Sequence, residues 1–132
     1  MVAQTNYVVI DDDPINNLIC NKNLQLLFPN DDIRTFTDPV EGYDYIVDKY
    51  NQPETGSILF LDIDMPFLNG WDILEKFAGL PNISNDNFKI YILTSSIANE
   101  DKKRSNSNPL VSGFIEKPLN MFQLKRLFPE AN

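Results

Sequence analysis

Histidine is absent from all 132 residues, which removes the commonest general base and a leading metal ligand. Acid–base, metal or group-transfer chemistry must then rest on carboxylates, hydroxyls and lysine. Cysteine is nearly absent: Cys20 stands alone. It cannot form an internal disulfide, so a reducing, cytoplasmic setting is expected, with the thiol as a small buried hydrophobe. Basic charge is scarce, 11 Lys+Arg against 19 Asp+Glu for a net charge of -8. An acidic chain without a basic stripe argues against nucleic acid and anionic membrane as partners. No apolar run is long enough to span a bilayer, and Met1 to Tyr7 lacks the basic-then-apolar pattern of a secretion signal. Repeats and linkers are missing too, so residues 1–132 are expected to form one domain able to bury a core.

What is present is alternation. Tyr7-Val8-Val9-Ile10 is an unbroken apolar run, typical of a parallel strand covered on both faces. It ends on Asp11-Asp12-Asp13-Pro14, where Asp13 can cap a helix that has Pro14 in its first position. Ile15, Leu18, Ile19 and Leu26 then recur at helical spacing and mark its expected apolar face. A short strand at Ile33-Arg34-Thr35-Phe36 precedes a helix capped by Asp38, with Val40, Tyr43, Ile46, Val47 and Tyr50 on one side. Ser57 to Asp62 is a third strand, followed by a turn-rich loop with Pro66 and Gly70. Trp71, Leu74, Phe77 and Ala78 outline a third helix, with Asp72 near its N-terminal dipole. Phe88 to Leu93 is a fourth strand. The polar segment Ala98 to Asn108 predicts only a short helix, because Ser105-Asn106-Ser107-Asn108 competes for backbone hydrogen bonds. Gly113-Phe114-Ile115-Glu116 is a fifth strand, and Asn120 caps a last helix carrying Met121, Leu124, Leu127 and Phe128. Strands alternating with helices predict an α/β fold, a doubly wound five-stranded parallel sheet with helices on both faces.

In such a sheet the functional loops lie beyond the carboxyl ends of the strands. Those ends carry Asp11, Asp12, Asp13, Asp62, Thr94 and Lys117. Two carboxylates about 4 Å apart repel by roughly 4 kcal/mol at an effective dielectric near 20. An acidic cluster of this kind calls for a cation, and oxygen-only ligands favour Mg2+ or another hard divalent ion. Each residue singly has a plainer role: Asp13 a cap, Asp11 and Asp12 cap or ligand, Thr94 a strand-end hydroxyl, Lys117 a solvated ammonium. Trp71 is most simply core, and Lys102-Lys103-Arg104 a solvated helix face. The joint occurrence on successive strand ends points to a site.

Four stretches carry a resemblance: Val9-Ile10-Asp11-Asp12-Asp13-Pro14, Leu61-Asp62-Ile63-Asp64-Met65-Pro66 with Gly70, Leu93-Thr94-Ser95, and Phe114-Ile115-Glu116-Lys117-Pro118. With these the chain resembles a response-regulator receiver domain of two-component signalling along nearly its whole length. The resemblance implies a flavodoxin-like strand order 2-1-3-4-5. It makes Asp62 the phosphoacceptor, with Thr94 and Lys117 binding the phosphoryl oxygens. Asp11, Asp12 and Asp62, with the Asp64 backbone carbonyl, would hold Mg2+. Thr94 and Phe114 would form the switch, a Phe where the family often has Tyr, and Lys117-Pro118 would be a cis bond. The partners implied are a histidine kinase or phosphotransfer protein upstream. Downstream, an unknown protein would dock on the face made by the fourth helix, fifth strand and last helix. A stand-alone phosphoacceptor signalling domain is the leading expectation, because little chain follows the last helix. A phosphate shuttle or sink is a variant. Asp62-Ile63-Asp64 also superficially resembles the aspartate pair of haloacid dehalogenase-type phosphatases, but Met65-Pro66 and the third-strand location speak against that. A degenerate module without phosphorylation is disfavoured because each site position holds a competent residue.

Overall fold

In the computed structural model, residues 5–50, 56–65, 68–81, 88–95, 103–104 and 107–129 are described. Five strands, β1 (Thr5–Ile10), β2 (Asp32–Phe36), β3 (Gly56–Asp62), β4 (Phe88–Thr94) and β5 (Val111–Glu116), make one parallel sheet in the order β2-β1-β3-β4-β5. The helices among the described residues are α1 (Pro14–Leu27), α2 (Pro39–Tyr50), α3 (Gly70–Ala78) and α4 (Met121–Leu127). This is the expected doubly wound architecture.

Alternate residues along each strand feed two cores, one per face of the sheet. Val8, Ile10, Leu59, Leu61, Ile90 and Ile92 pack with Ile46 of α2 and Ile73, Leu74 and Phe77 of α3. Tyr7, Val9, Phe60, Tyr91, Leu93 and Ile115 pack with Cys20 and Leu24 of α1 and Leu124 of α4. Cys20 is fully buried, as its sequence context predicts.

The helix starts follow the local chemistry. Asp13 Oδ1 accepts from Ile15 N at 3.0 Å, with Pro14 in the first position. Asp38 Oδ1 accepts from Val40 N at 2.9 Å. Reciprocal capping boxes close α3 through Asn69 and Asp72, and α4 through Asn120 and Gln123.

One expectation is overturned. The periodic apolar residues of α1 do not face the sheet: Ile15, Leu18 and Leu26 are 69%, 66% and 68% exposed, and Ile19 is exposed as well. The buried face is Asn16, Asn17, Cys20 and Leu24. The reason is the neighbouring rim, where oxygen atoms need donors that an apolar face lacks. Asn17 Nδ2 donates to the carbonyls of Asp11 at 2.9 Å and Phe36 at 3.3 Å, and Asn16 donates into the acidic cluster. Smaller adjustments occur in α2 and α3. Val40 is exposed while Gly42 is buried, and Ala78 is exposed while Ile73 takes the core position.

Most of the expected Ala98 to Asn108 helix lies outside the described residues, as does Lys102. Lys103 and Arg104 are helical and exposed. Ser107 Oγ donates to the Arg104 carbonyl at 3.0 Å, the competition for backbone acceptors anticipated from the sequence. Arg104 is not simply solvated, because its guanidinium stacks over the Trp71 ring. Lys117-Pro118 is a cis peptide bond.

Candidate functional site

The strand order reverses beside β1: α1 leads to β2 on one side and α2 leads to β3 on the other. Beyond the carboxyl ends of β1 and β3 an open α/β sheet leaves a crevice at this switch point. Asp11 follows β1 and Asp62 ends β3, so the crevice is lined by carboxylates. Both side chains are buried and Asp12 is exposed. Carboxylate oxygens of Asp11, Asp12 and Asp62 all lie within 4.8 Å of one another.

Lys117, just past β5, reaches across β4 into this cluster. Its Nζ is 2.7 Å from Asp11 Oδ2 and 3.3 Å from Asp62 Oδ2. Thr94, fully buried at the end of β4, lies between, and its carbonyl accepts from Lys117 N at 2.7 Å. Thus Asp11, Asp12, Asp62, Thr94 and Lys117 meet on one rim.

Asp62 is set by the turn that follows it. Asp64 N donates to Asp62 Oδ1 at 3.1 Å, and Gly70 N donates to the Ile63 carbonyl at 3.3 Å. A Cβ on Gly70 would lie 2.7 Å from the Asp62 carbonyl oxygen and 2.8 Å from Ile63 Cα. Only a glycine lets α3 start this close to the acidic loop. Pro66 and Phe67 lie outside the described residues. The exposed Asp64 side chain is not part of the carboxylate cluster, and its Oδ2 is 3.5 Å from Thr94 Oγ1.

Charge in the crevice is unbalanced. Burial pushes the Asp62 carboxyl up to about 6, Asp11 adds to the rise, and the Asp64 N–H and Lys117 oppose it. Burial works against the Lys117 ammonium, but hydrogen bonding and attraction to Asp11, together with Asp62, outweigh it and raise its pKa. One ammonium faces three carboxylates. A donor set of oxygens alone, with one exposed member on the open side, fits a hard divalent cation.

Phe114, on β5 opposite Ile92 of β4, is half-buried against the core. It borders a groove of about 360 Å³ with Ile115, Glu116, Gln123, Arg126 and Leu127. The sequence reading missed Asn16 and Asn17, whose signal was a pair of amides following an acidic triplet.

Fold and site together define a doubly wound α/β domain with an acidic crevice at its switch point, into which Lys117 reaches. A family model described as response regulator receiver domain matches residues 7–128, and the chain belongs to that family of two-component signalling domains. Stress response regulator protein 1 of Scheffersomyces stipitis is 30% identical over 98 residues, which cover 74% of this chain and 32% of that protein. The chain thus spans about a third of the length of that curated relative. A two-component response regulator from Cytophaga hutchinsonii has a crystal structure similar to this one with a TM-score of 0.84. Its identity is 23%, over 97% of this chain and 96% of the other. A response regulator receiver protein from Dyadobacter fermentans gives a TM-score of 0.78 at 19% identity over 96% and 97%. At these identities the two structures establish the fold. Among the described residues no helix is long and apolar enough to cross a membrane.

Proposed function

We propose that this receiver domain accepts a phosphoryl group on Asp62 from a phosphohistidine of another protein, in a Mg2+-dependent reaction. The observation that carries the reading is the convergence on Asp62: Lys117 Nζ lies 3.3 Å from its Oδ2, and two further carboxylates lie within 4.8 Å. An Asp62 oxygen attacks phosphorus, the phosphorus–nitrogen bond breaks, the imidazole leaves, and an acyl phosphate forms. Lys117 and the Thr94 hydroxyl bind the phosphoryl oxygens. Asp11, Asp12, Asp62 and the Asp64 carbonyl are the groups that would hold Mg2+, which supplies positive charge for the transferring group. With no histidine in the chain, the donor is a histidine kinase or phosphotransfer protein. Catalysis is confined to the domain's own phosphorylation and slow dephosphorylation.

The exposed apolar stripe of α1 supports a docking site for that donor. Ile15 lies three residues from Asp12, so a protein seated on Ile15, Leu18 and Ile19 has its reactive group at the rim. In a chain of net charge -8, α1 carries Lys22 as its single charged residue. Apolar centres depleted of charge are typical of interface cores. On the output side, Thr94 moves toward the phosphoryl group and Phe114 shifts inward. This remodels the surface formed by the segment around Arg104, β5 and α4, where a downstream protein docks.

Incubation with acetyl phosphate and Mg2+ tests the core of the reading. It should label the protein once, with an acid-stable, base-labile bond, and Asp62→Asn should abolish labelling. Full labelling of that variant, or sustained turnover of a phosphomonoester, would sink the assignment.

A further inference from the structure

Asp11 already accepts from three donors. Its Oδ1 accepts from Asp13 N at 2.9 Å, and its Oδ2 accepts from both Lys117 Nζ at 2.7 Å and Asn16 Nδ2 at 2.6 Å. Asn16 is more than nine-tenths buried on α1 and also points its Nδ2 at Cys20 Sγ, 3.7 Å away. Lys117 is divided between Asp11 and Asp62. To the extent that the ammonium turns toward a phosphoryl group on Asp62, it leaves Asp11 Oδ2. A buried carboxylate oxygen stripped of its donors is strongly disfavoured. The Asn16 amide is neutral, stays on Asp11, and keeps that oxygen hydrogen-bonded whichever way Lys117 points.

We infer that Asn16 is a positioning residue of the phosphorylation site: it holds Asp11 Oδ2 so that Lys117 is free to serve the phosphoryl group. The inference rests on the phosphoacceptor reading of Asp62. Asn16 touches no reacting atom and acts through Asp11 and Lys117.

The test is the initial rate of radiolabelling by acetyl phosphate at saturating Mg2+. Asn16→Leu keeps the branched shape and the number of heavy atoms and removes the amide. It should slow labelling roughly tenfold, the scale of one hydrogen bond to a charged group. In a Lys117→Ala background the same substitution should have no further effect, because the two residues work through one oxygen. Equal slowing in both backgrounds would mean a structural role only and would overturn the inference, as would an unchanged rate in Asn16→Leu. Thermal melts verify folding, and should the leucine variant be unfolded, Asn16→Ser is read by the same criteria. Wild-type protein that takes no label overturns the phosphoacceptor reading, and the inference falls with it. Labelled wild type with an indifferent Asn16 overturns the inference alone.

Discussion

The guanidinium of Arg104 lies 4.5 Å from the centre of the Trp71 ring. Trp71 stands in the first turn of α3, after the loop that follows Asp62, and Arg104 belongs to the segment between β4 and β5. The pair therefore links the proposed phosphorylation loop to the proposed output face. As the only tryptophan, Trp71 is a clean fluorescence probe. Phosphorylation by acetyl phosphate should change its emission, and Arg104→Ala should remove most of that change. The same variant should lose about 0.5–1 kcal/mol in urea unfolding, the usual scale of an exposed cation–π contact.

Asp62→Asn should stabilise the protein in the absence of divalent cations. It removes a buried carboxylate from beside Asp11 and Asp12, at the loss of one partner of Lys117. A gain of about 0.5–2 kcal/mol is expected, in the range of a functional residue traded for stability. Mg2+ should raise the melting temperature of the wild type more than that of the variant. A destabilised Asp62→Asn in chelator would contradict this electrostatic account.

Two of the tightly packed glycines, Gly70 and Gly42, should separate function from stability. In Gly70→Ala the new methyl meets the backbone of Asp62 and Ile63, so Asp62 must shift and labelling should fall sharply. In Gly42→Ala it meets Ile10 Cδ1 at 2.6 Å, the end of a core side chain rather than the backbone that carries Asp62. That variant should lose about 1–3 kcal/mol to overpacking yet label at a near-normal rate when folded.

Docking on α1 predicts a split between donors. Leu18→Glu places a charge on an exposed position, so stability should change by less than about 0.5 kcal/mol. Labelling by acetyl phosphate should be unaffected, while transfer from a phosphohistidine protein should slow markedly. Equal rates from both donors would remove α1 from the donor interface.

Burial pushes the Cys20 thiol up to about 12, with Asp11 adding to the rise and the Leu119 backbone and Lys117 opposing it. In the unfolded chain the thiol ionises near pH 9, so between the two values the native state holds the extra proton. Stability from this group is complete below about pH 9 and is lost as pH rises toward 12. Buried Tyr7 and Tyr91 and half-buried Tyr45 are shifted in the same direction, so the difference between wild type and Cys20→Ala isolates the thiol's share. Native protein at pH 8.5 should react with a thiol reagent only as fast as it unfolds.

Much of the site was legible because it lies at the junctions of elements. Apolar runs that stop on Asp11, Asp62 and Thr94 announce strand ends, and parallel strands in a doubly wound sheet present all such ends on one rim. Helix starts were legible for the same local reason at Asp13, Asp38 and Asn120, each of which satisfies an orphan N–H within three residues, whereas the Asn69 cap of α3 emerged only from the structure. The orientation of α1 was not legible. Its sequence holds an apolar stripe and an amide stripe, and helical periodicity alone does not say which one turns inward. Only the folded sheet decides, because it brings the Asp11 carboxylate and the Phe36 carbonyl against the helix. Those oxygens need the N–H groups of Asn16 and Asn17 more than the core needs Ile15 and Leu18. The sequence by itself determined where the carboxylates and the ammonium leave their strands. The tertiary structure decided which neutral side chains hold them, because hydrogen bonds between residues distant in the chain exist only once the sheet has formed.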